Sequence, residues 1–473
     1  MPPEQHRPHP QTARRSLSSP GVTIIVMLLL AACTQLLAFW PGIIVWDSIR
    51  QYGQALSGHY DDWHPPAMNW LWRQLLSFGS GPAPMLALQA LLYWGGFMLL
   101  AIGISRRSPA GYGRPLLLLC ALLPVPFFMV GTILKDSLMA GGLLMAAGLL
   151  AVRRRGDNLL RVVAILLLIA TATLRFNAAI ACLPLLIFAL PDRWKRTRTR
   201  MAIASTAAAV SVIAALPLAN HLLRAERSGV ELSLVTYDLA GITFHSGVDM
   251  FPPLQVANPV AVNARCYSPV SWDHYAWWVD EPCPIQFADV KTSFEAAAIS
   301  PYCWLARAAG AHPLAYLAHR LAHFNRNLRF WVHDADLPGL SLQSDSNPWN
   351  IRVPPSRLRQ WIGALTRWSL GTPLGWPACW LGLAMGTLAA GSASSESVAR
   401  PVAWSAVLYG LSYLPLSVAS EVRYHVWTMT GAAISYAIAM EEGRTQGAMG
   451  RLFLAPLAFA AIAILCVFAR LAS

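Results

Sequence analysis

The sequence predicts an all-α polytopic membrane protein, and three observations predict it. Hydrophobic residues make up 55% of the 473-residue chain and charged residues only 12%, against roughly 25% charged in a soluble domain. Apolar runs long enough to cross hydrocarbon recur along the whole chain. Most basic residues lie in short clusters between those runs: Arg106-Arg107, Arg153-Arg154-Arg155, and Arg193, Lys195, Arg196, Arg198 and Arg200. That placement is what the positive-inside rule produces. The net charge of +13 therefore reflects membrane topology. It does not indicate nucleic-acid binding, since no basic groove flanked by stacking aromatics is present.

In chain order, residues 1–20 read as a polar, disordered cytoplasmic tail. Arg14-Arg15 there imitates a twin-arginine signal, and Leu30-Ala31-Ala32-Cys33 a lipoprotein cleavage site. Apolar sequence continues straight past Cys33, so an uncleaved anchor helix is the expectation. Windows of roughly 20 apolar residues give about eleven spans. They begin near Val22, Pro84, Pro115, Ser137, Val162, Asn177, Met201, Pro373, Pro401, Val426 and Leu452. With the N-terminus in the cytoplasm, the dense basic clusters fall inside. Asp47, Asp61, Asp62, Lys135, Asp136, Arg175, Glu421 and Arg423 then fall at the opposite, extracytoplasmic face. The expected location is a bacterial inner membrane.

The organisation that follows has four parts: the tail; an N-terminal transmembrane module over 21–222 with its first outer loop at 41–82; an exported insert or lid over 223–370; and a C-terminal transmembrane module over 371–473. The insert starts with mixed strand-like and turn-like sequence, Val230 to Gly247. Pro313 then opens a helix with Leu314, Leu317, Leu321, Phe324, Leu328 and Trp331 on one stripe and Arg320, His323 and Arg326 on the other face. Such a helix would lie on the membrane surface or roof the spans. Trp277, Trp278 and Trp349 suit an interface. Cys266, Cys283 and Cys303 fall in the insert, where oxidation is permitted; a Cys266–Cys283 disulfide is one pairing, and the odd third thiol leaves others open.

Chemistry-bearing residues concentrate in the first outer loop, WDSIRQYGQALSGHYDDWHPPAMNWLWR, from Trp46 to Arg73. Asp47 sits just past the first span, where a carboxylate is costly near hydrocarbon; it could also start a short helix at Asp47-Ser48. Asp61, Asp62 and His64, stiffened by Pro65-Pro66, could bind a divalent metal or form a solvated turn. Arg50 is a fixed cation nearby. Lys135-Asp136 could neutralise itself, or Lys135 could contact phosphate while Asp136 supports a metal or a hydroxyl. Arg175 could grip phosphate through its planar fork or simply snorkel. Glu421 and Arg423 form a third charged outer turn with the same two readings. His319 and His323 have metal-ligand spacing, but without an adjoining HExxH glutamate a solvated face is expected. Asp334-Ala335-Asp336 imitates a nucleotide-sugar DxD motif on the wrong side of the membrane.

These pieces resemble the GT-C superfamily of integral-membrane glycosyltransferases, relatives of protein O-mannosyltransferases and lipid A aminoarabinose transferases. The resemblance lies in an acid after the first span, the string DSIRQYGQALSGHYDDWHPP, and KD, RFN, YDLAGI and EVRYH in comparable order. It implies a GT-C-like bundle that transfers a sugar from a polyprenyl-phosphate-linked donor to a lipid-linked or cell-surface glycan or protein acceptor. By this resemblance Asp47 is the general base, Asp136 the second acid, and Lys135, Arg175 and Arg423 surround the donor phosphate. Where some relatives carry an Asp-Glu pair, this chain has Asp61-Asp62. A lipid-linked glycan ligase or polymerase, using His323 and Arg320 of the insert, is one alternative. A multi-span transporter is the other.

Overall fold

The computed structural model describes residues 19–107, 113–154, 156–332, 340–391, 396–445, 447 and 449–472. Residues 1–18 of the expected tail, with Arg14-Arg15, and the Asp334-Ala335-Asp336 motif lie outside them. The described chain is helical, with isolated bridges but no strand. The N-terminal part runs α1 (Ser19–Phe39), α2 (Trp46–Ser57), α3 (Ala67–Leu75), α4 (Ala83–Arg107), α5 (Gly113–Ala121), α6 (Pro124–Val130), α7 (Lys135–Val152), α8 (Asn158–Ala172), α9 (Ala178–Ala189) and α10 (Arg198–Leu222). The insert holds α11 (Glu231–Ser246), α12 (Pro259–Cys266), α13 (Phe287–Ala296), α14 (Pro301–Ala311), α15 (Pro313–Leu328) and α16 (Arg357–Leu370). The chain closes with α17 (Pro377–Ala390), α18 (Ala399–Leu416), α19 (Val426–Thr445), α20 (Met449–Leu452) and α21 (Leu454–Ala472).

This is a polytopic helical membrane protein. Among the described residues, five segments are long and apolar enough to cross a membrane: most of α1 and α4, all of α7 and α10, and Met449–Ala472. The α5–α6 pair, bent by 55°, makes a sixth if it counts as one span. Each of the eleven sequence windows holds a helix, but length and composition do not make eleven full spans. Helices α8, α9 and α17 are short. Helices α18 and α19 bury Ser405, Ser412, Thr428, Thr430 and Ser435 toward the bundle, which lowers their apolar character.

Helix α7 is the axis of the bundle, with 89% of its span buried, against 22% for the lipid-facing α10. It lies directly on α4 because small residues meet there. A Cβ on Gly96 would sit 2.7 Å from the Leu144 backbone, and one on Gly148 would sit 2.8 Å from the Gly96 carbonyl. Such glycines are what let apolar helices associate closely in lipid.

A parallel bridge between Ile43 and Thr132 does most to position the site. Ile43 N–H donates to Gly131 O at 3.2 Å, and Ile133 N–H returns to Ile43 O at 2.8 Å. The chain then enters α2 on one side and α7 on the other, so the first turns of both helices start side by side.

Two expectations for the insert are corrected. The stretch expected to be strand-like and turn-like is the helix α11, closed by Gly247 in the left-handed region at φ 71°. Its β-branched residues are buried against α14 and α15, and burial on every side outweighs local strand preference. Helix α15 exists as predicted, with its polar face buried, the start of its apolar stripe outward, and Phe324 and Leu328 packed on the bundle core. Leu314 is 80% exposed and Leu317 50%, whereas His319, Arg320, His323 and Asn327 are buried. In a chain that meets lipid the outward leucines need no core. On the inward polar face Asp238 takes His319 Nε2 at 3.1 Å and also pairs with Arg320, while His323 Nε2 and Arg320 Nε are buried without a hydrogen-bond partner. The solvated face expected for His319 and His323 is therefore not observed.

The insert has its own apolar core, into which Trp63 of the first loop reaches. Cys266 and Cys283 are joined by a disulfide, and Cys303 is free and exposed. Two further bridges fasten the insert to the bundle. Asp62 N–H donates to Glu226 O at 3.0 Å, and Trp272 N–H donates to Val418 O at 2.9 Å.

Candidate ligand site

A cavity of about 530 Å³ opens where the first loop, the insert and the loop before α19 meet. This is within the usual size of small-molecule sites, ~300–1,000 Å³. Asp47 stands in the first turn of α2 and Lys135 begins α7. Lys135 Nζ donates to Asp47 Oδ2 at 3.3 Å, and Arg423 Nη1 donates to the same oxygen at 3.0 Å. Arg423 also holds Glu421, Nε to Oε2, at 2.6 Å. Arg175 pairs with Asp136 and lies 4.6 Å from the centre of the Tyr424 ring. So Lys135 and Asp136 do not neutralise each other; each is paired with a residue far away in sequence.

The electrostatics follow from this crowding. Burial alone would raise the Asp47 carboxyl, but the Arg423 and Lys135 charges outweigh it and hold the group well below the ordinary carboxylate range. Loss of hydration raises the Glu421 carboxyl, Arg423 opposes the shift, and Asp47 adds to it. His64 is pushed down to about 3, by burial first and by Lys135 second. It is neutral, and its Nδ1 lies 2.8 Å from Lys135 Nζ. An ammonium can only donate, so Nδ1 is the acceptor and Nε2 carries the hydrogen. That Nε2 is buried without a hydrogen-bond partner, with Asp47 Oδ1 3.9 Å away.

The cavity wall is aromatic. Trp46 and Trp63 from the first loop meet Trp278 of the insert at ring-centre distances of 5.4 and 5.7 Å, and Trp63 lies 6.2 Å from Trp272. Phe176 and Leu416 also line the cavity and stay roughly half exposed, giving it an apolar mouth.

The sequence-predicted residues are sorted accordingly. Asp47, Lys135, Arg175, Glu421 and Arg423 come together on the cavity, with Asp136 behind Arg175. Arg50 does not join them: it pairs with Asp61 at 2.5 Å. Asp62 instead accepts from the Ser228 N–H and hydroxyl at 2.7 and 2.6 Å. The proposed metal donors Asp61, Asp62 and His64 thus point to three different partners. Among the described residues no three His, Cys, Asp or Glu side chains converge as a metal site would need. The expected divalent-metal set is not assembled. Asp273, Asp345, Trp272 and Trp278 line the cavity without having been singled out as site residues. An acid two residues past Ser271 in a long insert carries no local signal of proximity to Asp47.

No family model matches the chain, and no curated protein matches it. Among solved structures, one from a study of the selectivity mechanism of a bacterial homologue of the human drug peptide transporters PepT1 and PepT2 aligns with 96% of this chain and 95% of its own. The identity is 13% and the TM-score 0.15, too weak a likeness to carry an argument.

The expectation of sugar transfer with Asp47 as general base is nonetheless corrected. The geometry removes the free base that reading needs, because Asp47 is committed to Lys135 and Arg423. A general base works best with a pKa near the operating pH, whereas Asp47 is held far below it by two cations.

Proposed function

We propose that the chain is a membrane protein that binds an amphiphilic ligand with an oxyanion head, such as a phosphate, in this cavity. The observation that carries the reading is the convergence of Lys135, Arg175 and Arg423 with the unpartnered Nε2–H of His64 on the lining of this one cavity. Three cations and an unused donor are what an oxyanion requires. In the empty cavity Asp47, Asp136 and Glu421 neutralise the cations, so ligand can enter and leave without exposing bare charge. The half-exposed Phe176 and Leu416 offer an apolar exit for a lipid chain.

Of the fates open to such a ligand, carriage is favoured over base-catalysed transfer by the commitment of Asp47 to Arg423 and Lys135. In this reading the cavity faces the extracytoplasmic side of a bacterial plasma membrane and the N-terminus is cytoplasmic. The basic clusters at the other ends of the apolar helices support that orientation.

The test uses purified full-length protein in lipid nanodiscs and proteoliposomes, with fluorescent short-chain phosphatidic acid as probe. Saturable binding above protein-free nanodiscs is expected, together with protein-dependent movement of the probe between leaflets. No saturable binding would overturn the proposal. Saturable binding without movement would remove carriage and keep binding.

A further inference from the structure

The cavity holds a second, oppositely charged anchor. Asp273 opens the short turn Asp273–Tyr275 in the insert and lines the cavity between Trp272 and Trp278. The other acids lining it are engaged. Asp47 is held by Lys135 and Arg423, and Glu421 by Arg423. Asp345 Oδ2 accepts from the Trp46 N–H at 2.9 Å. Among the described residues Asp273 has no ion pair; its hydrogen-bonding neighbour is the Ser271 hydroxyl. Burial raises its carboxyl above the ordinary value, against the Ser271 hydrogen bond and the smaller effects of His274 and Arg423.

Charge balance then constrains the ligand. The lining carries Lys135, Arg175 and Arg423 against Asp47, Asp273, Asp345 and Glu421, and Asp136 pairs with Arg175 from behind, so the site holds two acids more than cations. A ligand that is only an anion would add to that excess. A ligand with an ammonium beside its oxyanion would leave the cavity closer to neutral than a bare anion does, and it would supply Asp273 with the cationic partner that the fold does not.

We propose that Asp273 is a specificity-determining residue that accepts a hydrogen bond from an ammonium group on the ligand's head, so that the cavity selects zwitterionic phospho-head groups over bare phosphate monoesters. This rests on the oxyanion reading of the same cavity.

Dodecylphosphoethanolamine and dodecyl phosphate test it, by equilibrium binding to the full-length protein in nanodiscs. The wild type is expected to bind the amine-bearing probe tighter by about 10- to 100-fold, the range for one charge-assisted hydrogen bond. Asp273→Asn should reduce that ratio to within about threefold, because it removes the ammonium's acceptor and one unit of the acid excess that opposes dodecyl phosphate. Asp273→Glu should keep the preference, which guards against an asparagine variant that fails to fold. If both probes bind the wild type at a ratio that Asp273→Asn leaves unchanged, this inference falls alone. If neither binds the wild type, the oxyanion reading falls and takes this inference with it.

Discussion

Lys135 Nζ donates to Asp47 Oδ2 at 3.3 Å across 88 positions of sequence. The contact joins the first turn of α2 to the first turn of the most buried span. Breaking a buried ion pair from one side leaves the other charge uncompensated, at a cost of about 3–5 kcal/mol. Asp47→Asn is therefore expected to lower the melting temperature in mild detergent. The double variant Asp47→Asn/Lys135→Met should recover most of the loss. A single variant as stable as the wild type would mean that Arg423 and Lys135 do not depend on this carboxylate.

Stability should also fall on mild acidification. His64, His323 and His425 are each held down to about 3, chiefly by burial. An unfolded histidine titrates near ~6.5, so between those values the unfolded chain binds more protons and stability rises with pH. The stabilising neutral forms are complete above about pH 6.5 and lose ground progressively as pH falls toward 3, by up to ~1.4 kcal/mol per pH unit for each histidine. Asp47 is lowered too, and since an unfolded aspartate titrates near ~4, its ion pairs should add to acid sensitivity only below about pH 4. Melting curves from pH 7.5 to 5 test this. A melting temperature that stays flat or rises over that range contradicts the neutral, buried assignment.

The close approach of α11 and α15 makes Gly241 sensitive. A Cβ at that position would sit 2.1 Å from the His319 ring, which is fixed by Asp238 and by the Tyr267 hydroxyl at 2.9 Å. Gly241→Ala should cost about 1–3 kcal/mol through overpacking, read as a lower melting temperature. A neutral result would mean that the two helices can separate freely.

Reduction should loosen the insert before the bundle. The Cys266–Cys283 disulfide spans a sequence separation of 17, and closing a loop of that size is worth about 3 kcal/mol. Cys283→Ser should raise hydrogen exchange across α12, α13 and the Asp273 turn while α4 and α7 stay protected. Equal deprotection of the spans would contradict the separate apolar core of the insert.

Much of the architecture was legible in the sequence because apolar length and basic clustering report directly on the bilayer. Every expected window holds a helix, and of the charges assigned to one face Asp47, Lys135, Arg175, Glu421 and Arg423 meet on the cavity, with Asp136 paired to Arg175. Pairwise geometry was not legible. The strings Asp61-Asp62-Trp63-His64 and Lys135-Asp136 suggested partners within each motif, but Ile43–Thr132 pairing and the Asp62–Glu226 contact send neighbouring side chains to different places. Alternating direction along the chain, not spacing, decided which of them reached the cavity. The face of α15 was misread for a related reason. Beside lipid, an apolar stripe can point outward while histidine, arginine and asparagine pack inside. The strand-like opening of the insert became helix α11 because its neighbours bury it on all sides.

Arg175 should be irreplaceable by lysine. Its guanidinium serves Asp136 and the Tyr424 ring at once, a planar arrangement that a compact ammonium cannot reproduce. Arg175→Lys should therefore weaken binding of dodecyl phosphate by about tenfold, with the fold retained by circular dichroism. Unchanged affinity would place Arg175 outside the ligand's reach.

The most direct test of the oxyanion site is equilibrium binding of dodecyl phosphate to wild-type protein and to Arg423→Gln in nanodiscs. Arg423 both lines the cavity and bonds Asp47 and Glu421. The wild type should bind saturably and the variant about 10- to 100-fold more weakly, the loss of one charged hydrogen-bonding partner. Equal affinity in the two proteins would contradict the assignment of this cavity as the ligand site.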